Sequence, residues 1–354
     1  MKSILILCGG KSPEHEISVR SAKNILGAID RSKFAITLVG IDRAGSWRLI
    51  AESQLDRAIE IGMGEELSII PGRTTGQIIR TANQQAIPKP DAVFLVLHGP
   101  HGEDGTVQGL LRVLDLPFVG PDVMASAIAM DKEFAKRLMK EAGINVASGI
   151  VCEVDEKEDI EFDEVEELLG MPVFVKPANM GSSVGVHKVT NETELQVAVA
   201  DAFLYDRKII IEEMIVGREL ECAVLGNENP KVSRVGEVIT EEEYSYEAKY
   251  ISETTAKIQI PAEVSSEELK ELRATAKLAY RALGCEGMSR VDMFLTPDGE
   301  VYVNEINTIP GFTSISMYPK LWEVEGLSYP DLIEELINYS IKRHEAQLQL
   351  KMEF

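Results

Sequence analysis

The chain lacks any apolar run near the roughly 18 residues that a membrane-spanning helix requires, which argues against a membrane protein. It is poor in cysteine. Cys8, Cys152, Cys222 and Cys285 are far apart and form no C-x-x-C pair, so neither a zinc knuckle nor a redox motif is supported, and the four are expected as buried, reduced thiols. It is also short of positive charge, with 36 Lys and Arg against 58 Asp and Glu and a net charge of −22. No basic stripe is available to neutralise a nucleic-acid backbone, so an anionic ligand must be held by a local cluster of Lys, Arg and backbone N–H groups. Several familiar motifs are missing. Gly10-Lys11-Ser12 is not a P-loop, because Leu5 stands where its first Gly belongs, and no G-x-G-x-x-G follows the first apolar run. His15-Glu16 is not H-E-x-x-H, since Val19 occupies the last position. There is no internal repeat and no low-complexity tract.

A chain of 354 residues leaves room for two to three domains, and 45% apolar with 27% charged residues is ordinary for a soluble globular protein. The apolar start over 1–10 is too short for a signal peptide and reads as a first strand, which points to a cytoplasmic protein. The first third alternates strands over 4–8, 34–41 and 92–97 with helices over 18–29 and 105–114, Ser18 being a plausible N-cap, and a short strand follows over 117–119. This order predicts a parallel sheet with helices on its faces. Residues 42–90 read as surface elaboration. Gly120-Pro121-Asp122 is a first boundary. Beyond it come helices over 123–129 and 132–142, then strands over 149–152, 173–176, 184–188 and 208–213 with helices near 163–169 and 192–202, an α+β pattern. Strands over 219–225 and 232–238 follow, then a long polar stretch, a helix over 265–283 and a C-terminal helix from Tyr329.

The most informative segment is 290–317. Strands over 291–295 and 301–306 flank Thr296-Pro297-Asp298-Gly299-Glu300, a turn in which Pro presets φ and Gly accepts φ > 0. Alternation puts Arg290 and Asp292 on one face, and Glu305 and Asn307 on one face. If the register pairs those faces, two carboxylates and an amide oxygen converge beside a guanidinium. That is an all-oxygen set suited to Mg²⁺ with a nucleotide phosphate completing the shell. Upstream, Lys176-Pro177-Ala178-Asn179-Met180-Gly181-Ser182-Ser183-Val184-Gly185 joins two strands through small residues. It is either a plain hairpin turn or a loop whose N–H groups approach a phosphate. Glu212-Glu213-Met214-Ile215-Val216-Gly217-Arg218-Glu219 is either a solvated acidic linker or a hinge that pairs with adenine while carboxylates hold its amine and the ribose hydroxyls. The segment from Gly9 to Ser18 lies at the carboxyl end of the first strand, where ligands bind in open α/β sheets, and Glu16 there could hold an ammonium. His98, on a strand end beside glycines, is a site candidate, whereas His101 reads as solvated.

These segments together resemble the ATP-grasp superfamily, and most closely the D-alanine–D-alanine ligase family. The resemblance runs through Gly9-Gly10 with Glu14-His15-Glu16-Ile17-Ser18, Leu97-His98-Gly99 with Gly102-Glu103-Asp104-Gly105, and Met130-Asp131-Lys132. It continues through Val175-Lys176-Pro177 with Gly181-Ser182-Ser183-Val184-Gly185, Glu247-Ala248-Lys249-Tyr250, Arg290-Val291-Asp292, and Asn304-Glu305-Ile306-Asn307-Thr308 with Pro310-Gly311. A departure stands at Ala178-Asn179-Met180, where many members carry a more charged run. The resemblance implies a Rossmann-like N-terminal parallel-sheet domain over 1–121, then a two-lobed ATP-grasp fold with a central lobe over 122–213 and a C-terminal lobe over 214–354. It implies ATP as a substrate with two Mg²⁺, or Mn²⁺, on Asp292, Glu305 and Asn307. Lys132, Lys176 and Lys249 would hold phosphates, and Glu212, Glu213, Ile215 and Glu219 the adenosine. Glu16, Ser182 and Tyr250 would form a hydrogen-bonded trio at the first D-alanine, with His98 nearby. Arg290 and the Gly311 N–H would stabilise an oxyanion, and Ser316 and Met317 would clamp the second D-alanine's carboxylate. The polar stretch over 239–257 would be a closing lid, and a homodimer through the N-terminal domain is implied. Tyr250 favours attack by an amine over synthesis of an ester; D-serine or D-lactate as acceptor is the alternative. A nucleotide-binding regulator that had lost catalysis would show gaps among Arg290, Asp292, Glu305 and Asn307, and all four are present.

Overall fold

The computed structural model describes residues 1–56, 58–72, 77–240 and 256–351. Among these, three sheets carry the architecture. In the first, β1 (Lys2–Gly9) and β2 (Phe34–Ile41) pair in parallel and continue into β3 (Trp47–Leu49), β4 (Glu65–Ile69) and β5 (Ile78–Arg80), which are antiparallel; β6 (Ala92–Val96) pairs in parallel with β1 on the other side. The parallel part is what the βαβ order predicts. The antiparallel extension corrects the reading of 42–90 as surface elaboration: those strands are only three to five residues long, and of them β3 and β4 are mostly partly exposed while Ile78 and Ile79 of β5 are buried, so no long apolar run announces them. Residues 4–8 of β1 and all of β6 are buried, although β6 ends the sheet order and is extended only by a parallel bridge from Val93 to Phe118.

Helix α1 (His15–Ala28) starts earlier than the sequence suggests. Glu14 is its N-cap residue, not Ser18. The Ser18 hydroxyl instead accepts from the Gly9 N–H at 2.7 Å and donates to the Val96 carbonyl, fastening the helix to the strand ends where the site lies. Helices α2 (Thr106–Val113), α3 (Val123–Met130) and α4 (Lys132–Glu141) follow. The second sheet, in order β7 (Gly149–Glu153), β10 (Lys208–Glu213), β8 (Val173–Pro177), β9 (His187–Val189), is antiparallel and backed by α5 (Phe162–Leu169) and α6 (Glu192–Ala202) around Val165, Leu195 and Val199. The third runs β13 (Ala256–Gln259), β12 (Lys231–Thr240), β11 (Arg218–Leu225), β14 (Met288–Leu295), β15 (Val301–Asn307), with α7 (Ser266–Ala282) entered through a Ser265/Glu268 capping box.

The cores cross the expected boundaries. Ala125, Ala129, Ala135 and Met139 of α3 and α4 share the core of the third sheet, not that of the second. Leu321 and Trp322 of α8 (Met317–Val324), and Leu332 to Ile337 of α9 (Tyr329–Leu348), share the core of the first sheet. The edges of the stretch read as a lid are strand: Ile239 pairs with Lys257 and Thr240 with Ala256. Residues 241–255, including Lys249 and Tyr250, lie outside the described residues. All four cysteines are free and buried. No helix among the described residues is long and apolar enough to cross a membrane.

Candidate active site

The hairpin β14–β15 sets the site. Its register places Asp292 opposite Glu305 and Arg290 opposite Asn307, with a bulge between Asp292 and Met293. All four therefore emerge on one face, as alternation demands. Arg290 grips the buried Asp292 in a two-pronged bond, Nε to Oδ1 and Nη2 to Oδ2, both 2.7 Å, and its Nε lies 2.9 Å from Glu221 Oε2 on β11. Asn307 donates its amide N–H to Asp292 Oδ2 at 2.9 Å, which leaves its amide oxygen for another partner. No group of three His, Cys, Asp or Glu gathers among the described residues, so the candidate metal site has two carboxylates and relies on that amide as its third oxygen. Such a hard donor set fits Mg²⁺.

The lysines approach from two other elements. Lys132, at the start of α4, donates to the Met180 carbonyl at 2.6 Å and stands 3.5 Å from Glu305. Lys176 ends β8 and reaches Glu212 Oε2 at 2.6 Å. Lys136 reaches the other oxygen of Glu212 at 2.5 Å. Burial alone would raise the Glu212 carboxyl, but Lys136 and Lys176 hold it down at about 2. Glu213 faces the other way and accepts the Ser148 N–H at 2.6 Å. Ile215 is half-buried and Glu219 buried beyond it. Between these lysines the Gly/Ser loop joins antiparallel β8 and β9 and turns with positive φ at Ser182, Ser183 and Gly185.

A cavity of about 160 Å³ adjoins this face, lined among others by Glu14, His98, Glu103, Arg290, Gly311 and Ser316. The expected trio is corrected here: Ser182 donates to Glu14, not to Glu16. Glu16 lies on the outer face of α1 and pairs with Arg43, both half-exposed. Burial, with a like charge on Glu305, raises the Glu14 carboxyl against the pull of the Ser182 hydroxyl and Lys132. Glu103 accepts the Gly99 N–H at 2.8 Å and the Ile309 N–H at 3.2 Å, and burial with Glu14 and Glu305 pushes it up to about 8. His98 puts Nδ1 3.0 Å from the Ile309 carbonyl, which assigns the proton to Nδ1 and leaves Nε2 to face the Ser21 hydroxyl at 3.4 Å. Burial, with Arg290 nearby, lowers His98 to about 4, so it is neutral near pH 7. Ser21 in turn accepts the Phe312 N–H at 3.1 Å. This chain supports the loop carrying Gly311, where an added Cβ would lie 2.8 Å from the Ser316 hydroxyl. Ser316 caps α8 by position, and Met317 begins it, buried.

The structure thus brings together Lys132, Lys176, Ser182, Glu212, Arg290, Asp292, Glu305, Asn307, His98, Gly311, Ser316 and Met317, and leaves Glu16 and Glu213 outside. Glu14, Glu103, Lys136 and Glu221 were not singled out from sequence. Glu14 and Glu103 stand inside segments that carry the family resemblance, and Lys136 follows Lys132 by four residues on a helix; Glu221 has no such signal. Two family profiles match: "D-ala D-ala ligase N-terminus" over residues 3–121 and "D-ala D-ala ligase C-terminus" over residues 138–338. The chain belongs to the D-alanine–D-alanine ligase family. Within that family it is 51% identical to D-alanine–D-alanine ligase A of Salmonella typhimurium over 98% of this chain and 97% of the relative. It is 49% identical to the D-alanine–D-alanine ligase of Shouchella clausii over 99% and 97%. Among solved structures, the D-alanine–D-alanine ligase of Coxiella burnetii superposes with a TM-score of 0.87 at 37% identity, covering 99% of this chain and 98% of that one. The VanG D-Ala:D-Ser ligase of Enterococcus faecalis superposes at 0.85 with 36% identity over 96% and 99%.

Proposed function

We propose that the chain joins two molecules of D-alanine into D-alanyl-D-alanine, consuming ATP through an acyl phosphate, as a step toward peptidoglycan precursors. The observation that carries this reading is the cavity in which an ammonium-seeking carboxylate, Glu14, faces an oxyanion-seeking guanidinium, Arg290, beside buried lysines. A carboxylate is a poor electrophile, so its oxygen must first take the terminal phosphoryl group. Lys132 and Lys176, with Lys249 from the segment outside the described residues, hold the phosphates. Glu212, Ile215 and Glu219 hold the adenosine. Asp292, Glu305 and Asn307 would hold two Mg²⁺ (Mn²⁺ suits the same oxygens), which when bound neutralise charge on the transferring group.

Glu14, steadied by Ser182, holds the first D-alanine's ammonium, the place expected for Glu16, with Tyr250 as the third member. Ser316 and the N–H groups opening α8 hold the second D-alanine's carboxylate. Its amine attacks the acyl carbon. Arg290 and the Gly311 N–H receive the oxyanion, a contribution of about 3–4 kcal/mol per donor. His98 is a positioning residue: it holds the Ile309 carbonyl and, through Ser21, the Phe312 N–H on either side of Gly311. Burial of the cavity keeps water from the acyl phosphate. D-Alanine is favoured over D-serine as acceptor because the relatives near 50% identity are named for it. We take the working form to be a cytoplasmic homodimer joined through residues 1–121, with light scattering as its check. The activity is tested by phosphate release with ATP and D-alanine. Release matched by dipeptide supports the reading, and turnover independent of D-alanine contradicts it.

A further inference from the structure

Lys136 is buried in the cleft and takes no part in the ligation just described. It follows Lys132 by one helical turn, so both ammoniums leave the same face of α4. Its side chain is 9% exposed, that of Glu212 4%, and that of Lys176 10%. One buried carboxylate therefore holds a lysine on each oxygen, at 2.5 and 2.6 Å. The two lysines differ in what else they can do. Lys176 ends a strand beside the Gly/Ser loop, where the proposed function places the triphosphate. Lys136 sits inside a helix whose first turn is fixed: Asp131 caps it, and Lys208 ties Asp131 and Glu133 at 2.7 and 2.6 Å. When Lys176 turns to phosphate, a buried Glu212 without a counter-ion would take up a proton and lose an acceptor oxygen.

We propose that Lys136 is a positioning residue of the adenine subsite: it keeps Glu212 ionised and aimed at the adenine amine after Lys176 has been drawn to the phosphates. The inference rests on the reading of this cleft as the ATP site. The charged groups facing Glu212 are Lys136 from α4 and Lys176 from β8, Lys132 acting on Lys136 instead; β7 presents Gly149, which has no side chain. Burial lowers Lys136 to about 8, so the pair is ionised near pH 7.

The test compares K136M, K136R, E212Q and the double variant K136M/E212Q in the full chain. ATP and inorganic tripolyphosphate binding are measured by calorimetry, and KM for ATP and kcat between about pH 6 and 9. In nucleotide-free K136M, Lys176 still pairs with Glu212, so the fold is retained; K136Q is read the same way should the Met variant be unstable. K136M is expected to raise KM for ATP about tenfold or more, most at the acid end, with kcat changed less than about threefold. K136R should recover most of the loss. Tripolyphosphate should bind as to wild type, and K136M should add less than about twofold once E212Q is present. Equal weakening of ATP and tripolyphosphate would place Lys136 on the phosphates and overturn the proposal. So would additivity with E212Q, or a K136M enzyme with unchanged KM. Failure of the ATP-site reading shows separately, as a K176M variant that binds ATP and tripolyphosphate like wild type.

Discussion

Glu14 and Glu16 are separated by one residue and meet opposite chemistry. Glu14 stands at the N-cap position of α1 without capping it and turns its side chain into the cavity, bonded by Ser182, whereas Glu16 sits on the outer face with Arg43. Which of them faces the site depends on where the helix starts. Composition could not give that, because Ser18 is the better cap by residue type and is used instead to bind Gly9 and Val96. Substituting Gln for Glu14 should therefore lower kcat/KM for D-alanine by about a hundredfold, as for loss of a buried charged partner, while E16Q stays within about threefold. Phosphate-release kinetics over a range of D-alanine separates the two. Glu212 bears on stability. Its folded pKa, about 2, lies below the ordinary carboxyl value, so its contribution is present above about pH 4.5 and is lost as pH falls toward 2. Urea unfolding between those pH values should show a shallower fall for E212Q than for wild type; parallel curves would contradict this.

At the scale of elements, the hairpin is legible in the sequence, because its turn chemistry and alternation agree and the observed register pairs Asp292 with Glu305. The same holds for β10, whose bounds match the expectation over 208–213. Short elements were not legible. The strands β3 and β5 have three residues each, and α8 follows Pro310-Gly311 without a long periodic run. Nor could sequence show that His98 and Ser21, far apart in the chain, jointly hold the loop carrying Gly311. Replacing Ser21 with Ala removes the acceptor for Phe312 N–H. The Gly311 N–H would then be less well placed, and kcat should fall about tenfold with KM for ATP within about twofold. Equal losses in both would point to general unfolding instead.

The whole molecule is held by contacts across its expected divisions. Arg343 of α9 is buried, donates to the Gly120 and Phe118 carbonyls at 2.6 and 2.9 Å, and lies 4.7 Å from the Phe118 ring. It thereby fastens the C-terminal helix to the end of the first sheet's last loop. R343M leaves two carbonyls without that donor and should cost about 2–4 kcal/mol, read as a lower urea midpoint. These contacts give the cleft fixed walls, with carboxylates of the first sheet's loops on one side and the β14–β15 hairpin on the other. The central claim is that a D-alanine carboxylate is phosphorylated there before it is coupled. D-Alanine labelled with ¹⁸O in its carboxylate tests this directly. An attacking carboxylate oxygen becomes the bridge of the acyl phosphate and leaves with phosphate when the amine adds. Mass spectrometry of the released phosphate should therefore find one ¹⁸O for each dipeptide formed, and unlabelled phosphate accompanying dipeptide would contradict the account.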